Sequence, residues 1–173
     1  YYIRPDETLV VVPALELFAR HGNPGHIDYP AGMISLLAVI YQPLHALLAA
    51  AGHALPSLVE DAGANPSRYF LIGRFVSACA GALTTMAVYG IGRRLMSTRA
   101  AIVAALWYAV APLAVRDAHF AVTDTLLGLL VAAAVLCAQR VGEAEPSHRR
   151  RALLLSAVVA GAAVATKYNA IVI

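Results

Sequence analysis

The pattern of hydrophobic and polar residues changes about two fifths of the way along this chain. After residue 68, long apolar stretches alternate with short polar connections, and four of the stretches are predicted to be membrane-spanning helices. They are Tyr69–Gly92, Ala100–Val115, Val122–Gln139 and Ala152–Ile173. The second has an uncharged core of 16 residues between Arg99 and Arg116, and the fourth has one of 15 residues that ends before Lys167. Because a spanning helix needs about 17–25 residues, we expect these charged ends to snorkel or to face a protein-lined cavity.

The chain before Tyr69 contains one short amphipathic segment and one long apolar run. Over Thr8–Arg20, apolar residues recur at helical spacing and predict a short amphipathic helix at a membrane interface; they are Leu9, Val12, Leu15 and Phe18. An apolar run follows from Ala31 to Ala51, with Pro43 in its middle, where a proline would break or kink a spanning helix. The run either spans or forms a pair of short helices in the outer leaflet. We favour the pair, because it places the acidic residues on one face.

Arginines mark one side of the predicted bundle. They cluster in the connection at 93–99 and again in the connection at 140–151, and the positive-inside rule places both in the cytoplasm. Two predicted helices separate these connections, which is the even number that the rule requires. The turn Arg116–Ala121 and the loop before Tyr69 are therefore predicted to face outside.

Composition supports a membrane protein and argues against a soluble domain, a nucleic-acid-binding protein and a disulfide-stabilised protein. Of the 173 residues, 60% are apolar and 13% are charged, whereas a soluble domain has about 45–50% and about 25%. The net charge of +3 is spread along the chain, so we expect no nucleic-acid partner. Cys79 and Cys137 lie in apolar stretches and suggest neither a disulfide framework nor a metal site. The predicted fold class is all-α, a polytopic membrane helical bundle.

Ionisable residues converge on the predicted outer face in four groups. They are Asp6–Glu7, Asp28 with His26, Arg116–Asp117–His119–Asp124, and Lys167. Lys167, the only lysine, lies 16 residues beyond Arg151. That distance is about 24 Å along a helix, against a hydrocarbon core of about 30 Å, so Lys167 should lie near the outer boundary. In such a set a carboxylate can act as a general base and cations can hold a leaving phosphate, but proton-coupled carriers assemble similar sets.

Each of these residues also has a structural interpretation. Helix capping suits the acids at the predicted helix starts, and ion pairing, interfacial anchoring or snorkelling suits the rest. Asp6, Glu7 and Asp124 would cap helices, and Asp117 would pair with Arg116. His119 would anchor the chain at the membrane interface, and Lys167 would snorkel to the headgroups. At this stage both interpretations stay open for every residue.

Four stretches resemble motifs of a known family and occur in the same order. They are Asp6–Glu7; Ile72–Ser77 with Gly81 and Tyr89–Arg94; Arg116–Asp124; and Ala165–Tyr168. They resemble the first outer-loop acidic pair, the second spanning helix, the second outer-loop motif and the "TK" segment of bacterial family 39 glycosyltransferases. That family belongs to the GT-C superfamily and includes protein O-mannosyltransferases and the lipid A aminoarabinose transferase.

The resemblance covers the chain but corresponds only to the N-terminal portion of such proteins. We therefore expect residues 1–173 to be a partial GT-C transmembrane domain within a longer protein. Residues 1–68 would form an outer-face loop with juxtamembrane helices, and residues 69–173 would form four transmembrane helices. The resemblance implies location in the bacterial cytoplasmic (inner) membrane, with the active site facing outside.

The resemblance also implies a reaction and roles for the outer residues. A sugar would move, with inversion, from a polyprenyl-phosphate donor to a hydroxyl on a protein, lipid or glycan acceptor. Asp6 would be the general base, Glu7 would support it and Asp124 would assist on the acceptor side. The substrate-binding residues would be Lys167, His119, Arg116 and Asp117, with Lys167 and Arg116 neutralising the lipid phosphate.

No cofactor is predicted with certainty, and a divalent cation stays open. Partners would be the lipid-linked donor, the acceptor and membrane lipid. The alternative function is a secondary transporter or lipid flippase that uses the same outer acids as a relay.

Overall fold

The computed structural model describes residues 5–23, 31–143 and 145–172. Eight α-helices and a short 3-10 helix account for most of these residues, and within them there is no strand. The helices are α1 Pro5–Glu16, α2 Gly32–Ala50, α3 Leu58–Ala64, α4 Pro66–Leu95, α5 Thr98–Val110, α6 Pro112–Ala118, α7 Thr123–Glu143 and α8 Pro146–Thr166, followed by the 3-10 helix Tyr168–Val172. The predicted all-α helical membrane bundle is confirmed.

Three of the described helices, α2, α4 and α7, are long and apolar enough to cross a membrane, and the pair α5–α6 adds a fourth if it is one broken span. The prediction of a single helix over Ala100–Val115 was wrong, because α5 and α6 meet at an angle of 58°. Pro112 disfavours helical backbone at the residue before it, and Ala111 is extended, with φ −62° and ψ 123°.

The last predicted span also differs from the observed helix. α8 ends at Thr166, and Lys167 is extended at its C-terminus, with φ −158° and ψ 133°. Arg149–Arg151 lie inside the first turns of α8, so the helix has a short apolar core and is absent from the candidate spans among the described helices. The lysine therefore lies at the end of a helix rather than within one.

α2 is one continuous helix rather than the predicted broken pair, although Pro43 lies inside it. Tertiary contacts hold the chain on both sides of the proline. The Tyr41 hydroxyl donates to the Tyr69 carbonyl at 2.9 Å, and a ring nitrogen of His45 lies 3.0 Å from the Leu55 carbonyl. These anchors offset the backbone hydrogen bond that a proline removes.

α1 begins earlier than predicted and buries a different face. Pro5 occupies a first-turn position that suits its fixed φ, which brings Asp6 and Glu7 into the helix. The buried face consists of Glu7, Val10, Val11 and Ala14, whereas Leu9, Val12 and Phe18 are exposed and only Leu15 of the predicted face is buried. Glu16 at the end of the helix forms an ion pair with Arg20, at 2.6 Å.

The main core lies where α1, α2, α3 and the start of α4 meet, and Ala121 joins it from the segment before α7. Elsewhere, large apolar side chains remain exposed, including Phe75 at 69%, Trp107 at 75% and Val158 at 69%. Contiguous exposed apolar surface marks contact with a membrane or another protein segment. The bundle is thus well packed at one end and apolar on its sides.

Candidate functional site

A buried carboxylate joins three parts of the chain at the packed end of the bundle. Glu7 on α1 is fully buried and accepts two hydrogen bonds from Arg74 on α4, from Nε to Oε1 and from Nη2 to Oε2, each 2.8 Å long. The backbone N–H of Ala121 donates to the same Oε1 at 2.9 Å. The arginine also lies over the ring of Phe120, at 5.5 Å. We call these contacts of Glu7, Arg74 and Ala121 the carboxylate clamp.

The clamp depends on a close approach between α4 and the segment before α7. A Cβ atom on Gly73 would lie 2.8 Å from the Cβ of Ala121 and 3.3 Å from the Tyr41 hydroxyl. Only glycine leaves room for this approach without a backbone shift. The glycine beside Arg74 is therefore part of what brings the arginine to Glu7.

Asp6, next to Glu7, is exposed. Successive residues of a helix point about 100° apart, so the buried clamp and the exposed carboxylate belong to different faces of α1. Asp6 lines a small cleft of about 40 Å³ together with Asp124 and Val122. The structure thus brings Asp6 and Asp124, two of the predicted catalytic acids, to one cleft.

Lys167 joins the same site from the end of α8. Its Nζ donates to Oδ1 of Asp124 at 2.7 Å, and both side chains are partly exposed. The end of α8 is held close to α2, since a Cβ on Gly32 would lie 2.6 Å from the hydroxyl oxygen of Thr166. Asp124, at the start of α7, is therefore the point where the first and last helices of the site meet.

Of the remaining predicted residues, Arg116 and Asp117 lie on α6, and His119 is the residue that follows its last turn. Arg116 pairs with Asp117 at 2.8 Å, which is the structural interpretation of that pair. Asp117 lines a cleft of about 330 Å³ that also includes Asp124. His119 lies beside Arg74 and Phe75 in a groove of about 380 Å³, and it also lines a cleft of about 400 Å³ with Tyr108. Its Nδ1 donates to the Val115 carbonyl at 2.6 Å.

Two residues important to this region had no predicted role. Arg74 could have been found from the sequence, because an arginine inside a predicted spanning helix needs a partner. Asp61 on α3 is buried and accepts hydrogen bonds from the Leu55 N–H, the Asn65 amide, Arg68 and the Tyr69 hydroxyl. Burial acts to raise the pKa of Asp61, but the hydrogen bonds and the arginine hold it below its usual value. Asp61 anchors the loop that leads into α4.

The described part of the chain contains no group of three or more histidine, cysteine or acidic side chains that could hold a metal ion. Within that part, Asp124, which lines the cleft with Asp6, forms an ion pair with Lys167. Asp28 and His26, also predicted to face outside, lie outside the described residues.

Comparison with known proteins identifies a family. The family model described as dolichyl-phosphate-mannose-protein mannosyltransferase matches residues 69–173, which is more than half of the chain. The matched range includes Arg74, Asp124 and Lys167, while Asp6 and Glu7 precede it. The search of curated proteins and the search of solved structures each found nothing that matches.

Proposed function

The chain belongs to the dolichyl-phosphate-mannose-protein mannosyltransferase family, and from that premise we propose that it forms the acceptor side of a lipid-linked sugar transferase. The coarser function, a membrane glycosyltransferase, follows from the family and from the apolar helices. The donor would be a sugar on a polyprenyl phosphate, and the acceptor would carry a hydroxyl. The family match favours this transferase over the carrier that the outer acids alone would also allow.

The observation that supports the proposal is the shared cleft of Asp6 and Asp124, with Lys167 bonded to Asp124. A general base must reach the proton that it removes, and Asp6 is the exposed acid of its pair. Asp6 is therefore our candidate for the base.

In the proposed step, the acceptor oxygen attacks the anomeric carbon. Its O–H bond breaks, and Asp6 takes the proton. The new C–O bond forms as the bond between the anomeric carbon and the phosphate oxygen breaks, and the electron pair leaves with the polyprenyl phosphate. Attack from the face opposite to the phosphate inverts the anomeric centre.

Lys167 is the proposed partner of the leaving phosphate. A cation near the developing negative charge lowers the barrier by stabilising the transition state more than the ground state. The contact with Asp124 orients the ammonium group at the cleft before the donor binds. Asp124 then has two proposed tasks, which are to position this cation and to assist the acceptor.

Glu7 has a positioning role in this proposal. It is fully buried, and both of its oxygens accept hydrogen bonds, from Arg74 and from the Ala121 N–H. Because the clamp holds α1 against Ala121, three residues before Asp124, it sets the separation of Asp6 and Asp124. Effective catalysis needs this kind of fixed geometry.

The direct test is Asp6→Asn in the full-length protein, reconstituted in nanodiscs with polyprenyl-phosphate-mannose and a hydroxyl acceptor. Loss of a general base typically costs about 10²–10⁴-fold, so we expect the release of polyprenyl phosphate to fall by roughly that factor. Glu60→Gln is the matched control, because Glu60 is an exposed acid of α3 away from the cleft, and it should keep the wild-type rate. Full activity of Asp6→Asn would remove Asp6 from the mechanism.

A further inference from the structure

The bend between α5 and α6 opens a second cleft, of about 330 Å³, that none of the proposed donor contacts uses. Its apolar wall includes Tyr108 and Leu113, and its polar end consists of Asp117, Asp124 and Thr125. Asp124 belongs both to this cleft and to the smaller cleft that contains Asp6. The second cleft therefore leads to the proposed reaction centre from the α5–α6 side.

Thr125, one of the residues that line this cleft, has a hydroxyl group with no hydrogen-bond partner among the described residues. The residue is only 5% exposed. Its methyl group faces α4, since a Cβ on Gly81 would lie 3.6 Å from it. Native proteins rarely leave a buried hydroxyl unpaired, so an unpaired one calls for an explanation. A bound hydroxyl group would provide the missing partner.

The charges of the cleft limit the chemistry of that ligand. Asp117 and Asp124 line the cleft, while their partners, Arg116 and Lys167, are not among its lining residues. Carboxylates accept hydrogen bonds from a hydroxyl group, and the described residues of the lining offer no cation that would bind a phosphate or a carboxylate. An uncharged hydroxyl suits this end of the cleft.

The apolar side of the cleft continues onto the surface of the bundle. Leu113 in the wall is 62% exposed, and Val110 and Trp107 nearby on α5 are 71% and 75% exposed. An acceptor with an apolar part could lie along this surface while its hydroxyl reaches the polar end. We propose that the cleft binds an uncharged, amphiphilic, hydroxyl-bearing acceptor through Asp124 and Thr125. This inference rests on the proposed function and names the acceptor class for the same site.

The test compares hexyl β-glucoside with hexyl β-glucuronide as acceptors for the full-length protein in nanodiscs, with polyprenyl-phosphate-mannose as donor. The two acceptors differ by one carboxylate. We expect the glucoside to have a KM at least tenfold lower. Removing one hydrogen bond to a ligand costs about tenfold in affinity, so Thr125→Val should raise the KM of the glucoside by about that factor.

Ser77→Ala is the matched control for this substitution. Ser77 is fully buried, and its hydroxyl, like that of Thr125, lacks a partner among the described residues, but Ser77 lies outside the lining of the cleft. Removing either hydroxyl should leave the thermal stability unchanged or higher, because an unsatisfied buried group is lost. Only Thr125→Val should change the KM of the acceptor.

Several results would overturn the inference. An unchanged KM in Thr125→Val would show that the cleft does not bind the acceptor, and equal use of the glucuronide would show that the acceptor need not be uncharged. Preferential use of a neutral threonine peptide, unaffected by Thr125→Val, would replace the amphiphile with a protein acceptor.

Failure of the proposed function would look different. In that case wild-type protein would release no polyprenyl phosphate with any acceptor. The cleft would then be tested by thermal stabilisation of donor-free protein with hexyl β-glucoside. We expect stabilisation of the wild type and of Ser77→Ala but not of Thr125→Val, and its absence from the wild type would overturn the inference.

Discussion

The carboxylate of Glu7 connects packing and chemistry at the scale of single residues. A buried ion pair gains little over an apolar pair of the same shape, but removing one partner leaves an uncompensated buried charge and costs about 3–5 kcal/mol. Here the pair is bidentate and also binds the Ala121 N–H. Its geometric consequence is that the neighbouring acid, Asp6, faces the cleft it shares with Asp124.

Glu7→Gln should therefore be much more damaging than the loss of a surface ion pair. We expect it to lower the free energy of unfolding by about 3 kcal/mol, and to reduce kcat more than it raises the KM of the donor, because Asp6 loses its position. Thermal unfolding in nanodiscs and steady-state kinetics would measure the two effects.

Glu16→Gln provides the comparison, since Glu16 forms a partly exposed pair with Arg20 at 2.6 Å. Exposed pairs contribute about 0–1 kcal/mol, so this variant should unfold almost like the wild type. Equal destabilisation by the two substitutions would contradict the importance of the clamp.

At the scale of elements, the sequence predicts best where a helix is long and apolar. α4 extends the predicted Tyr69–Gly92 by three residues at each end, and α7 begins within one residue of the predicted start. The sequence predicts helix bounds less well where contacts between helices compete with the local backbone preference of a residue. Pro43 is accommodated in α2 because Tyr41 and His45 beside it are held by tertiary contacts. Pro112, in contrast, separates α5 from α6.

The buried face of α1 could not be read from its periodicity. The helix has apolar residues on more than one side, so hydrophobic spacing does not distinguish the face that packs on the bundle from the face left exposed. The packed face is the one that contains Glu7, because this carboxylate has Arg74 as its partner. The partner lies 67 residues away, beyond the reach of any local pattern.

Gly73 determines how closely α4 approaches the segment before α7. Gly73→Ala would place a Cβ 2.8 Å from that of Ala121, and overpacking of this kind costs about 1–3 kcal/mol. We expect lower thermal stability together with a slower transfer rate, since the clamp and Asp124 would move apart.

Gly90→Ala is a control on the same helix, where the nearest atom to the added Cβ is a Leu136 methyl group at 3.5 Å. Alanine favours a helix over glycine by about 1 kcal/mol, so this variant should be as stable as the wild type or more stable. A Gly73→Ala protein that behaved like Gly90→Ala would show that the close approach is not required.

At the scale of the whole molecule, the contacts of α2 bear on its relation to the membrane. Its first residue, Gly32, lies against Thr166 at the end of α8, and Tyr41 and His45 contact the start of α4 and the loop before it. The positive-inside rule puts the start of α4 and the end of α8 on the outer side. All of these contacts are with elements predicted to lie on the outer side, so α2 along the outer face stays our prediction, while its length and hydropathy would also allow it to cross the membrane.

Cysteine accessibility in intact cells tests this arrangement. In a background without Cys79 and Cys137, Asn23→Cys and Glu60→Cys flank α2, and Ser147→Cys marks the start of α8. If α2 lies on the outer face, a membrane-impermeant thiol reagent should label positions 23 and 60 but reach position 147 only after permeabilisation. Labelling of only one of positions 23 and 60 would show that α2 crosses the membrane.

The sequence alone determined the membrane class, the all-α fold and the long helices α4 and α7, and it singled out most of the charged residues of the candidate site, though not Arg74. These follow from composition, from runs of apolar residues and from the cost of placing charges in a membrane, all of which are local properties. Only the tertiary structure decided which of those charged residues meet.

In the folded protein Glu7 is buried against Arg74 and Lys167 is paired with Asp124, while His119 lies outside both clefts that Asp124 lines. Such pairings depend on how closely helices far apart in sequence can approach, as Gly32 and Gly73 allow them to do here. Packing between distant segments sets that distance, and no local pattern of residues encodes it.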